Sequence, residues 1–99
     1  MQRYLDILEQ YRKEIGVEYH TFDFGLIKSQ ENGTGLWVNI YGYFNYYIEF
    51  KPIEGSHAFV YVLTYMDTDG EECDVWLNFE LEDLFQKLFG IIKSFDLTD

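Results

Sequence analysis

The sequence predicts a two-layer α+β sandwich, in which a four-stranded antiparallel sheet carries an N-terminal and a C-terminal helix on one face, in the order α-β-β-β-β-α. Three observations predict it. Apolar residues recur at helical spacing near the two ends of the chain. Between them, apolar and polar residues alternate as in half-buried strands, and Gly-, Asn- and Asp-containing turns separate the runs. A chain of 99 residues is expected to form a single domain, 1–99, with one modest core.

The first helix is predicted over residues 2–16. Tyr4, Leu8, Tyr11 and Ile15 recur at a spacing that places them on one side of a helix. Gly16 follows the last periodic residue and is typical of a helix end. The stripe is expected to pack against the core.

The first strand is predicted over residues 17–30, with Phe22, Phe24 and Leu26 on one face. Residues 31–35, Glu-Asn-Gly-Thr-Gly, form the turn that follows. A loop of odd length is expected here, because it keeps even-numbered residues of both strands on the same face. Such a loop would set Phe24 beside Gly42 and Leu26 beside Ile40.

The second strand is predicted to run without interruption over residues 36–50, the longest alternating stretch of the chain. Its even positions are aliphatic or aromatic apart from Gly42 and are expected to face the core. Its odd positions mix aromatic rings with amides and one carboxylate. These are expected on the sheet face that carries no helix, which we call the open face.

A loop over residues 51–56 is predicted to lead into a third strand over 57–66, a turn over 67–70 and a fourth strand over about 72–79. In this hairpin, even positions of the third strand share a face with odd positions of the fourth. The residues expected in the core are Ala58, Val60, Val62, Met66, Cys73, Val75, Leu77 and Phe79.

The second helix is predicted over residues 80–95. Its apolar residues form one broad stripe, and acidic residues in its first turn suit the helix dipole. Gly90 weakens the middle of this helix by about 1 kcal/mol relative to alanine. Close packing against the sheet or the first helix would explain that glycine.

The open face is expected to carry a large aromatic patch, and such patches mark interfaces. Tyr and Trp are also the side chains that most often dominate binding energy. The sheet could instead bury part of this face on itself, form a homodimer through it, or bind another protein or a ligand there. The predicted aromatic binding residues are Trp37, Tyr41, Tyr43, Tyr47, Tyr61, Tyr65 and Trp76.

The formal net charge of −11 argues against direct binding to nucleic acid or to an anionic membrane, and it favours a basic protein partner. The charge is concentrated, because residues 67–83 contain eight acids and no base. Such a run is either a solubilising surface or an acidic edge that steers a basic partner. The predicted acidic binding residues are Asp69, Glu71, Glu72 and Asp74.

No motif for catalysis, a cofactor or a metal ion stands out, so none is predicted. Cys73 is the only cysteine, which excludes an internal disulfide and favours a cytoplasmic location, and it is expected to be a buried thiol. The N-terminus lacks the apolar block of a signal peptide, and no apolar run is long enough to cross a membrane.

Taken together, the sequence predicts a small, acidic, non-catalytic protein-binding domain. The sharper hypothesis is an inhibitor of a basic nucleic-acid-handling protein, such as a nuclease. An immunity protein against a nuclease toxin and a phage-encoded inhibitor of a bacterial defence enzyme both have this character. The alternatives are a ligand-binding or enzymatic domain that uses the aromatic sheet face as a pocket, and a homo-oligomeric structural subunit.

Overall fold

A computed structural model describes residues 1–28 and 34–97. In these residues one antiparallel sheet follows a first helix and precedes a second helix along the chain. The α+β class with a helix at each end is therefore confirmed, but the sheet has five strands rather than four. The strands lie in sequence order, β1-β2-β3-β4-β5. The elements are α1 Gln2–Ile15, β1 Phe22–Lys28, β2 Thr34–Ile40, β3 Phe44–Pro52, β4 Phe59–Met66, β5 Glu72–Asn78 and α2 Leu81–Ser94.

Helix α1 ends where the sequence predicts. Gly16 adopts a left-handed conformation with φ of 69°, and its backbone N–H donates to the Arg12 carbonyl oxygen. Tyr4 and Leu8 are buried on the inner side of the helix.

Helix α2 buries Leu84, Phe85, Leu88 and Ile92 on its inner stripe. Gly90 does not have the predicted close neighbour. It is exposed, and a Cβ atom built on it would meet no atom outside the local helix within 4 Å.

Strand β1 begins later than predicted, because residues 17–21 precede it as a turn-rich segment, and residues 29 and 30 of the predicted strand lie outside the described residues. Phe24 pairs with Val38 and Leu26 with Leu36, so the predicted partners Gly42 and Ile40 are wrong. Even positions do pair with even positions, as predicted. Of the predicted turn, residues 31–33 lie outside the described residues, and residues 34 and 35 already belong to β2.

The predicted second strand is a hairpin. Tyr41, Gly42 and Tyr43 form a turn that joins β2 to β3, with φ of 58° at Tyr41 and 77° at Gly42. The amide of Asn39 supports this turn, since its Oδ1 accepts a 2.9 Å hydrogen bond from the Gly42 N–H. Ile40 then pairs with Phe44.

Side chains of both helices join one core with a single face of the sheet. That face presents even positions of β1, β2 and β3 and odd positions of β4, since Ile48 pairs with Leu63. The buried sheet residues in this core are Phe22, Leu36, Val38, Ile40, Tyr46, Ile48 and Leu63. We call this the helix-covered face.

The predicted core of the last two strands is wrong. Even positions of β4 do share a face with odd positions of β5, since Val62 pairs with Leu77 and Thr64 with Val75. However, that face is the open one. Val62 and Thr64 are buried on that face, whereas Val75 and Leu77 are 47% and 64% exposed.

Cys73 is exposed and not a core thiol. Tyr65 pairs with Asp74 and Met66 with Glu72, so Cys73 is the extra residue of a β-bulge. The sequence assigned Cys73 to the core together with Val75 and Leu77, and the face of those two residues is the open one.

Candidate functional site

Trp37 and Tyr47 lie on the open face, as predicted, but neither protrudes freely. They are directly opposite one another on β2 and β3, and both are only partly exposed. The indole of Trp37 lies over Gly25 on β1: a Cβ atom built there would come 2.7 Å from its Nε1. The Trp37 ring therefore packs against the sheet and does not project from it.

Tyr41 and Tyr43 are brought to the β2–β3 turn, at one end of the sheet, with exposed fractions of 38% and 63%. The Tyr41 hydroxyl donates to the backbone carbonyl of Asp96, and its ring lies 6.5 Å from that of Phe95. Tyr41 therefore joins the turn to the segment after α2, which is a structural role.

Tyr61, Tyr65 and Trp76 are not on the open face, and their predicted place there is wrong. All three pack against the helix-covered core. The Tyr65 ring is 4.9 Å from that of Tyr46, and burial is the main cause that raises the pKa of both phenols. Lys87 of α2 places its Nζ 4.8 Å from the centre of the Trp76 ring.

The four predicted acidic residues come together around the β4–β5 turn and are all exposed: Asp69, Glu71, Glu72 and Asp74. The neighbouring Asp67 is structural, because its Oδ1 accepts hydrogen bonds from the N–H groups of Asp69 and Glu71 at 2.9 and 3.0 Å. Within residues 1–28 and 34–97, no lysine or arginine forms an ion pair with any of these five carboxylates.

Sequence reasoning missed the most exposed apolar residues of the sheet region. Val75, Leu77 and Phe79 follow one another at alternate positions, and we call them the β5 strip. Leu77 and Phe79 line an open hollow of about 430 Å³, together with Ile53 and Val60. Phe79 is 68% exposed. The alternation of these residues was visible in the sequence, but the side of the sheet to which they belong was not.

Acidic residues lie at both ends of the β5 strip. Glu72 and Asp74 precede it, although Asp74 belongs to the helix-covered side of β5, and Glu80 and Asp83 follow it at the start of α2. From residue 74 to residue 79 an extended chain spans roughly 17 Å. No lysine or arginine in the described residues forms an ion pair with these carboxylates. The apolar strip can therefore contact an apolar surface, while the carboxylates around it attract cationic groups.

Hollows also lie elsewhere among the described residues. A groove of about 620 Å³ runs between α1 and α2 and includes Ile7, Tyr11, Phe89 and Lys93 in its lining. A smaller hollow of about 240 Å³ lies on the open face beside Ile27, Tyr47, Glu49 and Met66. Among the described residues that line these two hollows there is no serine, cysteine or histidine.

Within the described part of the chain, the titratable groups show neither a cysteine thiol with a lowered pKa nor a metal-ligand cluster. Desolvation, followed by the neighbouring Asp67 carboxylate, raises the pKa of the Cys73 thiol, which lowers the thiolate fraction. No cluster of three or more His, Cys, Asp or Glu residues suited to a metal ion occurs in residues 1–28 and 34–97.

Neither helix of the described chain has the length and apolar character that a membrane span requires. Comparisons of the chain with protein-family models, with curated proteins and with solved structures give no match.

Proposed function

We propose that this protein is a non-catalytic binding protein that docks onto a basic protein through the β5 strip and the carboxylates around it. The observation that carries the proposal is the exposure of Val75, Leu77 and Phe79 beside acidic residues without ion-pair partners in the described chain. Contiguous exposed apolar residues with a charged rim are typical of protein interfaces.

Charge selects the class of partner. A net charge of −11 repels polyanions and increases the encounter rate with a positively charged surface. Proteins that handle nucleic acids present such surfaces, because they neutralise phosphates with Lys and Arg. An inhibitor of a nuclease or of a related enzyme, occupying a surface meant for phosphates, is therefore the specific form of the proposal.

Self-association through the same strip is the alternative from another class. The β5 strip would be buried in a symmetric dimer, but two copies of the acidic residues around it would also approach each other. Sedimentation velocity at low and high salt separates the two ideas. A dimer that forms at micromolar concentration and persists at low salt would favour self-association.

The test of the proposal is binding kinetics with a basic protein captured from the native host and then purified. Two sets of variants are compared. Glu71→Gln, Glu72→Gln and Asp74→Asn together remove three charges beside the strip, and Leu77→Ser with Phe79→Ser removes apolar contact. The charge variant should associate several-fold more slowly at low salt, with little change at high salt. The apolar variant should dissociate faster.

A matched control removes the same number of charges from exposed positions of α1: Asp6→Asn, Glu9→Gln and Glu14→Gln. Each variant is first shown to be folded by circular dichroism and urea denaturation. If association slows equally in both charge variants, the effect comes from the net charge of the protein and not from the position of the carboxylates beside the strip. Unchanged dissociation of the Leu77 and Phe79 variant would exclude the β5 strip from the interface.

A further inference from the structure

Strand β5 is an edge of the sheet, and its outer side is unpaired within the described residues. Its ladder partner is β4, from Tyr61↔Asn78 to Met66↔Glu72. An edge strand points the N–H and C=O groups of every second residue away from the sheet. Natural proteins usually protect such edges with charged side chains, especially lysine, with proline or a β-bulge, or with a covering segment.

The opposite edge of the sheet, β1, is contacted by a charged side chain of a helix. Arg12 of α1 donates a 3.4 Å hydrogen bond to the Phe22 carbonyl oxygen and places its guanidinium 3.7 Å from the Asp23 carboxylate. It also lies 4.7 Å from the centre of the Phe24 ring. A charged side chain from a helix therefore occupies the start of β1, whereas β5 contains neither lysine nor proline.

The two faces of β5 differ in chemistry. Its open side presents Val75 and Leu77, and its helix-covered side presents Asp74, Trp76 and Asn78. The Lys87 amine lies over the Trp76 ring and disfavours a second cation at that position. The bulge at Cys73 limits the regular edge to residues 74–78.

We propose that the outer edge of β5 accepts an extended segment of the basic partner as a sixth strand. The segment would place apolar side chains next to Val75 and Leu77 and a lysine or arginine next to Asp74, with a neutral residue beside Trp76. Main-chain hydrogen bonds to the edge supply affinity in this recognition mode, and the alternating side chains supply specificity. This inference rests on the proposed function, which it deepens by naming the form of the partner.

A second copy of this chain fits the edge poorly. An antiparallel pairing of two β5 strands would bring together two chains that each carry a formal net charge of −11. Repulsion between two strongly acidic chains opposes that close approach. Charge complementarity therefore favours a basic segment over self-pairing.

The probe is the synthetic peptide Lys-Val-Thr-Val-Thr-Val-Lys, which presents the expected pattern in either strand direction. Two further peptides carry N-methyl groups, one on the three valines and the other on the two threonines. Along a strand, N–H groups of alternate residues point to the same side, so only one of the two methylated peptides keeps the donors that β5 needs. Side chains and charge are the same in all three peptides.

The readouts are binding by isothermal titration and amide hydrogen exchange of residues 74–78. The expected result is that the unmodified peptide and one methylated peptide bind, with at least about tenfold slower exchange at outward-pointing β5 amides. Equal binding of both methylated peptides would overturn strand addition but leave the proposed function standing. Absence of binding by the unmodified peptide would also overturn strand addition, and the Leu77 and Phe79 kinetics decide the proposed function independently.

Discussion

The indole of Trp37 occupies the space above Gly25, its direct cross-strand partner on β1. A Cβ atom built at Gly25 would lie 2.7–2.8 Å from three atoms of the indole, closer than real Cβ contacts come. Glycine at position 25 therefore lets a large ring lie against the neighbouring backbone on the open face. As a result, this ring belongs to the packing of the sheet.

Gly25→Ala is expected to destabilise the fold by about 1–3 kcal/mol, because the added methyl group must push the indole out of its packing position. Urea denaturation measures the free energy of unfolding, and tryptophan fluorescence reports the changed environment. The double variant Gly25→Ala with Trp37→Ala is the control. In the Trp37→Ala background, the alanine at position 25 should cost little, since the obstructing ring is gone. An equal cost in both backgrounds would contradict the contact.

Gly90→Ala is expected to act in the opposite direction. Gly90 lies inside α2, and a Cβ atom there would meet nothing within 4 Å. The substitution should stabilise the protein by about 0.5–1 kcal/mol, because alanine loses less backbone entropy than glycine in a helix. The midpoint of urea denaturation should rise with an unchanged slope. A loss of stability would mean that an unseen neighbour requires glycine at this position.

The hairpin formed by β2 and β3 shows why alternation alone did not reveal the turn between them. Three residues, 41–43, separate Ile40 from its partner Phe44. A connection with an odd number of residues returns the chain with even positions still on the same face. The alternation of core-facing and outward-facing residues is therefore the same before and after the turn. The signals that could have located it are Gly42 on the apolar side of the pattern and an asparagine on either side, Asn39 and Asn45.

The connection between β3 and β4 has the opposite effect. Pro52 pairs with Phe59, so the six residues 53–58 separate them. An even number exchanges odd and even positions between the two faces. Neither the length of that loop nor the register of the strands after it can be read from the sequence. The more aliphatic of the two alternating sets of residues in β4 and β5 is therefore the one predicted in the core. This single choice misplaced Tyr61, Tyr65 and Trp76 and concealed the β5 strip.

The Tyr4 hydroxyl donates a 2.8 Å hydrogen bond to the Glu82 carboxylate, which links α1 to the first turn of α2. This bond is the main cause that lowers the pKa of Glu82 below its ordinary value of 4.5. A carboxyl group with a lowered pKa stabilises the fold above the pKa of the unfolded chain, and the contribution is lost as pH falls through the folded-state value.

Tyr4→Phe should therefore cost more stability at pH 7 than at pH 3. The measurement is the difference in free energy of unfolding between the variant and the wild type at both pH values. Tyr11→Phe is the control, because its hydroxyl lies on the same helix and has no carboxylate partner within the described residues. A Tyr4→Phe cost that is the same at both pH values would show that the ring, and not the hydrogen bond, carries the effect.

Neighbouring residues on β5 provide the sharpest test of which sheet face the helices cover. Trp76 packs against the core beneath Lys87, whereas Leu77 is 64% exposed. Trp76→Ala should cost about 2 kcal/mol or more, because it removes a large side chain from packed surroundings. Leu77→Ala should change stability by no more than about 0.5 kcal/mol. Urea denaturation of the two variants, made in one strand at adjacent positions, compares them directly. The opposite order of costs would place Leu77 in the core, as its alternation with Val75 had indicated, and would remove the β5 strip from the surface of the protein.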